Sequence, residues 1–240
     1  MVTEEKCRLC QKHNLLQKSH IIPEFFYKTL YDKQKYDVLS TSPEQPNRRF
    51  PQGIYEKLLC GDCETHLSKY ESYARKLLIG GINIDSMRDG DFLFLSEIDY
   101  TAFRLFQLSL IWRAGISTHS FFSNVSLGNH EDKIRELILS NNPGLTWQYG
   151  CFMIGLLADD VLLTDLIIQP ERLKHQGDTV YRFVFGGFVW IYFVSNRTPP
   201  IQALRAFLNP AGNIPILMKN IENLKDFETL AVKLFQTSKL

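Results

Sequence analysis

The chain has 240 residues, 45% of them apolar, enough for one sizeable core or for a small metal module beside a larger domain. Its 27 lysines and arginines against 26 aspartates and glutamates leave a net charge of +1, so no overall basic field marks a nucleic-acid binder. No apolar run reaches the roughly 20 residues that span a bilayer, and the polar start Met1-Val2-Thr3-Glu4-Glu5-Lys6 lacks a signal-peptide core; the expectation is a cytoplasmic protein with no membrane partner.

Residues 1–80 carry 13 basic and 10 acidic side chains, a mild bias toward the amino-terminal end. Two cysteine pairs, Cys7-x-x-Cys10 and Cys60-x-x-Cys63, lie in this segment and bracket Ser19-His20-Ile21-Ile22-Pro23. Four thiolates at two-residue spacings suit the tetrahedral preference of Zn²⁺, and in a reducing compartment paired cysteines favour metal over disulfide. The fifth cysteine, Cys151, lies in the apolar run Cys151-Phe152-Met153-Ile154 and reads as a buried thiol.

In chain order, Ser19 to Pro23 reads as a short extended strand, because Pro23 lacks an amide proton and disfavours helix at the residue before it. Glu24 to Tyr31 has the spacing of a short helix with an aromatic face. Asp37 to Gln52, with three prolines, reads as an irregular loop, and its Arg48 and Arg49 are candidate phosphate contacts. After Cys60-Gly61-Asp62-Cys63, the apolar positions Leu67, Tyr70, Ala74, Leu77 and Leu78 form one helical stripe that Gly80-Gly81 closes. On that helix Glu64 and His66 fall on opposite flanks, about 160° apart, so they compete for a site role rather than share one. Glu71 lies on the same flank as Glu64, giving an acidic edge to whatever packs there.

The remaining residues read as a helix over 98–114, with Phe103, Phe106, Leu110 and Ile111 on one face and Arg104 and Arg113 elsewhere. A second helix through Glu136 to Ser140 has Asn129 placed as its cap. Strands follow at Trp147 to Leu157, Val161 to Gln169, Val180 to Phe185 and Phe188 to Ser195, with Asp159-Asp160 and Gly186-Gly187 as turns. A last helix is expected from Asn220 through Phe235. His119, His130 and His175 show no ligand-like spacing, and no phosphate-binding glycine loop or nucleophile elbow occurs.

The order Cys7-x-x-Cys10, His20-Ile21-Ile22-Pro23, then Leu58-Leu59-Cys60-x-x-Cys63 at a helix start resembles the zinc-stapled branch of the HNH, or ββα-metal, endonucleases, over residues 7 to about 78. It is also similar to bacterial proteins that combine Ser19-His20-Ile21-Ile22-Pro23 with a Leu-Leu-Cys-x-x-Cys-Glu helix. The resemblance implies a treble-clef zinc module that cuts a phosphodiester of DNA or RNA. A histidine general base would activate water, and one Mg²⁺ or Mn²⁺ would stabilise the charge on the leaving oxygen. His20 matches the family's catalytic histidine. Glu64 stands at the motif's last position, commonly His or Asn, where a carboxylate is a hard ligand for the catalytic ion. Ser19 stands where the family usually has a metal-binding Asp or Glu. Tyr55-Glu56 replaces a mid-motif asparagine, so the loop carrying the histidine must be braced otherwise.

The fold expected is α+β, with a zinc-stabilised HNH-like module over 1–80 and a larger α+β domain with an antiparallel sheet over 81–240. The larger domain is expected to recognise a protein partner, nucleic acid, an activating signal or a second copy of the chain, and bacterial defence against phage or other foreign DNA fits the combination. The alternative is a treble-clef module without catalysis that binds nucleic acid or protein, with zinc as its sole metal.

Overall fold

The computed structural model describes residues 4–27, 37–39, 53–195, 197–199 and 201–223. Two short antiparallel ribbons open the chain: β1 (Glu5–Lys6) with β2 (His13–Asn14), and β3 (Leu16–His20) with β5 (Tyr55–Cys60). The expected strand at Ser19 ends near its proline, since β3 closes at His20 and Ile21 adds one further bond, N–H to the carbonyl of Ile54 at 3.0 Å. Residues 25–27 are helical and bury Phe25, Phe26 and Tyr27; the rest of that expected helix lies outside the described residues. Helix α1 (Gly61–Ile79) follows β5 without a break, buries Cys63, Leu67, Tyr70 and Ala74 as its stripe predicts, and closes on Gly80 at φ 101°.

Among the described residues the larger sheet has nine strands. Its path runs β4 (Asp37–Leu39), β10 (Leu166–His175), β11 (Asp178–Phe185), β12 (Phe188–Val194), β8 (Cys151–Ala158), β13 (Ile214–Asn220), β7 (Phe92–Leu95) and β6 (Ser86–Asp89), with β9 (Val161–Leu162) paired to β8. The sheet is mixed: β4 with β10 and β13 with β8 are parallel pairs, and the others are antiparallel. Strand period two divides its side chains between two apolar clusters. Trp190, Tyr192, Met153 and Phe183 belong to the main core, which runs from Cys7 to Met218, while Val189, Ile191, Ile154 and Val184 join a second cluster with Phe207. Burial on both sides explains why β8 and β12 read as continuous apolar runs. Gly186 and Gly187, at φ 64° and 82°, make the expected two-residue turn between β11 and β12. A side chain at Gly186 would meet the Phe26 ring at 2.3 Å, so the amino-terminal aromatics seat directly on that turn.

Helix α2 (Tyr100–Ile116) lies at the centre, and Phe103 and Phe106 pack on Trp190 of the sheet. Of its 17 residues 13 are buried, which makes it a core helix on all sides rather than an amphipathic one. Arg104 and Arg113 are therefore interior too, each 1% exposed. Helix α3 (His130–Leu139) matches its predicted position, but Asn129 does not cap it. Its backbone is already in the right-handed helical region (φ −63°, ψ −8°), which keeps the side chain from reaching back, and the preceding turn supplies the carbonyls of Leu127 and Gly128 instead.

Other differences have local causes. Residues 146–149 form turns rather than the start of a strand, with Tyr149 at φ 59°. The expected strand from Val161 to Gln169 is broken between β9 and β10. Residues 37–39, expected as loop, pair with β10, and β6, β7 and β13 carry too little alternation to be seen in sequence. Asn220 does begin a turn, its Oδ1 accepting from the Glu222 amide at 3.1 Å; the expected helix beyond residue 223 lies outside the described residues. Among the described residues no helix is long and apolar enough to cross a membrane.

Candidate metal centre and the His20 site

The two ribbons and α1 bring the cysteine pairs together. Cys7 and Cys10 sit in the turn between β1 and β2, held by the Cys7 amide on the Lys12 carbonyl and the Gln11 amide on the Cys7 carbonyl, both at 2.9 Å. Cys60 ends β5, and Cys63 lies in the first turn of α1. The sulfurs of Cys7, Cys10, Cys60 and Cys63 all lie within 4.8 Å of one another, and Cys10 Sγ is 3.9 Å from Cys60 Sγ. Four Zn–S bonds of about 2.3 Å in a tetrahedron place sulfurs about 3.8 Å apart, whereas a disulfide needs about 2.05 Å, so the donor set suits a metal ion such as zinc rather than a disulfide. Burial raises the pKa of the Cys7 thiol, but the amides of Cys60, Cys10 and Leu9 outweigh it and hold that thiol below its ordinary value. Burial pushes Cys60 and Cys63 up. The protein thus favours the thiolate at Cys7 itself and leaves Cys60 and Cys63 dependent on a cation.

Ser19 and His20 end strand β3, opposite Glu56 and Tyr55 of β5. Ser19 is fully buried, and its Oγ donates to Oε1 of Glu64, one residue beyond Cys63. The position where an acidic ligand was expected therefore serves the acid across from it. The His20 ring is half-buried and meets Tyr55 edge-on at 5.8 Å. Burial raises the Glu64 pKa, the Ser19 hydroxyl and the charges of Arg113 and His20 oppose the rise, Glu71 adds to it, and the carboxyl stays above its usual range. His20, Glu64, Glu71 and Arg113 thus form one electrostatic group.

Arg113 comes from the last turn of α2. Its Nη1 donates to the His20 carbonyl at 2.6 Å and pairs with Oε1 of Glu71, also at 2.6 Å. Its Nε donates to the Ser109 carbonyl at 3.3 Å and its Nη2 to Ser109 Oγ at 3.4 Å. The acidic edge expected along α1 thus meets this buried cation. Glu56, on β5, accepts from Ser117 Oγ, from the Thr118 amide at 3.0 Å and from Thr118 Oγ1 at 2.5 Å. The sequence pointed to Glu56 only as part of the replaced mid-motif asparagine and to Arg113 only as lying off the apolar face of its helix; neither partner was named, and the available signal was an arginine inside an otherwise apolar helix.

The competing histidine is accounted for. His66 Nε2 lies 2.9 Å from the Ile138 carbonyl, and Tyr70 donates to Asn141, so this flank of α1 docks on the end of α3, away from Glu64. His119 Nδ1 accepts from the Phe121 amide at 3.1 Å as a turn cap, and His130 lies 3.2 Å from the Tyr149 hydroxyl. Arg48 and Arg49 lie outside the described residues. Among the described residues, the four cysteines are the one group of three or more His, Cys, Asp or Glu ligands within 4.8 Å. Compared with known protein families, with curated proteins and with solved structures, the chain matches no family model, no curated protein and no solved structure.

Proposed function

We propose that the chain is a zinc-stapled, HNH-like endonuclease whose treble-clef module hydrolyses phosphodiester bonds of DNA or RNA. The observation that carries the reading is the Ser19–Glu64 bond immediately beside His20 in the chain, on a ribbon and a helix that the four cysteines join. Zinc at Cys7, Cys10, Cys60 and Cys63 would be structural, since four sulfurs complete its coordination. His20 is the general base: its ring takes a proton from water as the water oxygen bonds to phosphorus and the bond to the leaving oxygen breaks. Ser19 holds the Glu64 carboxylate in one orientation. Glu64, a hard oxygen donor, would hold a Mg²⁺ or Mn²⁺ ion, which when bound would stabilise the charge that develops on the leaving oxygen.

The second reading, a zinc module that binds nucleic acid or protein without cutting it, is favoured by one observation: both carboxylates already have protein partners, Glu64 in Ser19 and Glu71 in Arg113. Purified protein incubated with plasmid DNA and with RNA under Mg²⁺ or Mn²⁺, beside His20→Ala, separates the two. Cleavage lost in the variant while its zinc is retained is the result expected. Equal behaviour of variant and parent sinks the nuclease reading. A cytoplasmic role in defence against foreign nucleic acid follows only from the nuclease reading.

A further inference from the structure

Burying a guanidinium costs several kcal/mol unless its donors are met, so an arginine that is 1% exposed is held there by its acceptors. Those acceptors are unusual in kind. One is the backbone carbonyl of His20 itself, 93 residues away in the chain, and another is the carboxylate of Glu71 on α1. We infer that Arg113 is a positioning residue for His20, setting the direction in which its ring projects; the inference rests on reading His20 as the general base.

His20 is the last residue of β3, where the ribbon pairing runs out and the chain turns toward Pro23. A hydrogen bond to its carbonyl fixes the peptide plane that follows the residue, and with the plane before it held by the β3–β5 pairing, the direction of the Cα–Cβ bond is set. The same nitrogen grips Glu71, so β3 and α1 are held at one point of α2. The other strand of the ribbon is held a turn further along, where Ser117 and Thr118 donate to Glu56 opposite Ser19. Both strands that carry the site are therefore clamped to the end of α2, whose Phe103 and Phe106 pack on Trp190 of the large sheet. The cysteine cluster holds the ribbon to α1; Arg113 and Glu56 orient it against the rest of the chain.

The test uses the full-length, zinc-loaded chain with ¹³C-labelled histidine. The His20 ring cross-peak, one of six histidine signals, is assigned by its absence in His20→Ala. Arg113→Met with Glu71→Gln removes both charges together, leaving neither buried alone. Arg113→Lys keeps charge and stem but cannot reproduce the planar fork, and it carries the test if the double variant fails to hold zinc. We expect the His20 peak to shift or broaden in the double variant. In a cleaving parent, kcat should fall about 10- to 100-fold with KM unchanged, since a misplaced base loses rate rather than binding. Arg113→Lys should lie between parent and double variant. An unchanged His20 peak overturns the inference whatever the rate, as does a loss carried in KM alone. If the parent itself cuts nothing, the nuclease reading falls, and the cross-peak alone decides the positioning role.

Discussion

Ser19 donates its hydroxyl to the carboxylate of Glu64, joining the strand before His20 to the helix that begins at the second cysteine pair. A neutral partner holds the acid without neutralising it, so the pair stays able to take a cation. Replacing Ser19 by Asp would set two carboxylates against each other in a buried place. Ser19→Asp should therefore lower the thermal midpoint in metal-free buffer and recover much of the loss in Mn²⁺ or Mg²⁺, with a larger metal-induced rise than the parent shows. A thermal shift series with and without Mn²⁺ reads this directly. No metal-dependent difference between variant and parent would show that Glu64 is not placed to hold a divalent ion.

Glu56 makes the ribbon's stability pH-dependent. Burial alone would push its carboxyl up, but the hydroxyls of Ser117 and Thr118 and the amides of Thr118 and His119 outweigh that and hold it below the usual carboxylate value. A depressed folded-state pKa stabilises the protein above the unfolded value, about 4.3, and that contribution disappears as pH falls through the folded value. Glu56→Gln should accordingly be less stable than the parent at pH 7, with the gap closing below about pH 4. Urea unfolding of both proteins across that range checks it. A gap that is constant with pH would mean that the charge on Glu56 plays no part.

The features legible in sequence were those written at short range. The Cys-x-x-Cys spacings foretold the cluster, the stripe from Cys63 to Ala74 foretold α1, and Gly186-Gly187 foretold its turn, because each rests on residues within a few positions of one another. The separation of Glu64 from His66 around α1 was also readable, and the structure sends them to Ser19 and to Ile138 respectively. What braces His20 was not readable, because Arg113 lies 93 residues away and a lone arginine in an apolar helix reveals a need for partners without naming them. The same limit hid β7 and β13, four- and seven-residue strands that pair with each other across more than a hundred residues.

The cysteines should divide into two chemical classes. Cys7, Cys10, Cys60 and Cys63 share one site, so the protein should hold one zinc per chain, and Cys60→Ser should lose the metal and the cooperative unfolding of the ribbon–helix unit, because metal affinity is part of its folding energy. Cys151 is buried against the sheet, and burial pushes its thiol up to about 12, so it should not react with a thiol reagent at pH 8 in the folded protein. Titrating zinc-loaded protein with such a reagent should label almost nothing. Adding a chelator should expose the four site cysteines first and Cys151 only with denaturant. Rapid labelling of Cys151 in the native protein would contradict its placement.

His66 and His20 offer the sharpest contrast, since both are half-buried histidines within the same amino-terminal segment. His66 bonds to the Ile138 carbonyl at the end of α3 and meets Tyr70 edge-on at 5.6 Å, a docking contact between the two helices. His66→Ala should destabilise the fold by about 1 kcal/mol, the loss of one side-chain to backbone hydrogen bond, and leave any nuclease activity per folded molecule unchanged. His20→Ala should abolish cleavage per folded molecule while the zinc is retained. Denaturant midpoints and cleavage rates measured side by side on the two variants decide the assignment. If His66→Ala lost cleavage at full stability and His20→Ala did not, the catalytic role would belong to the other flank of α1.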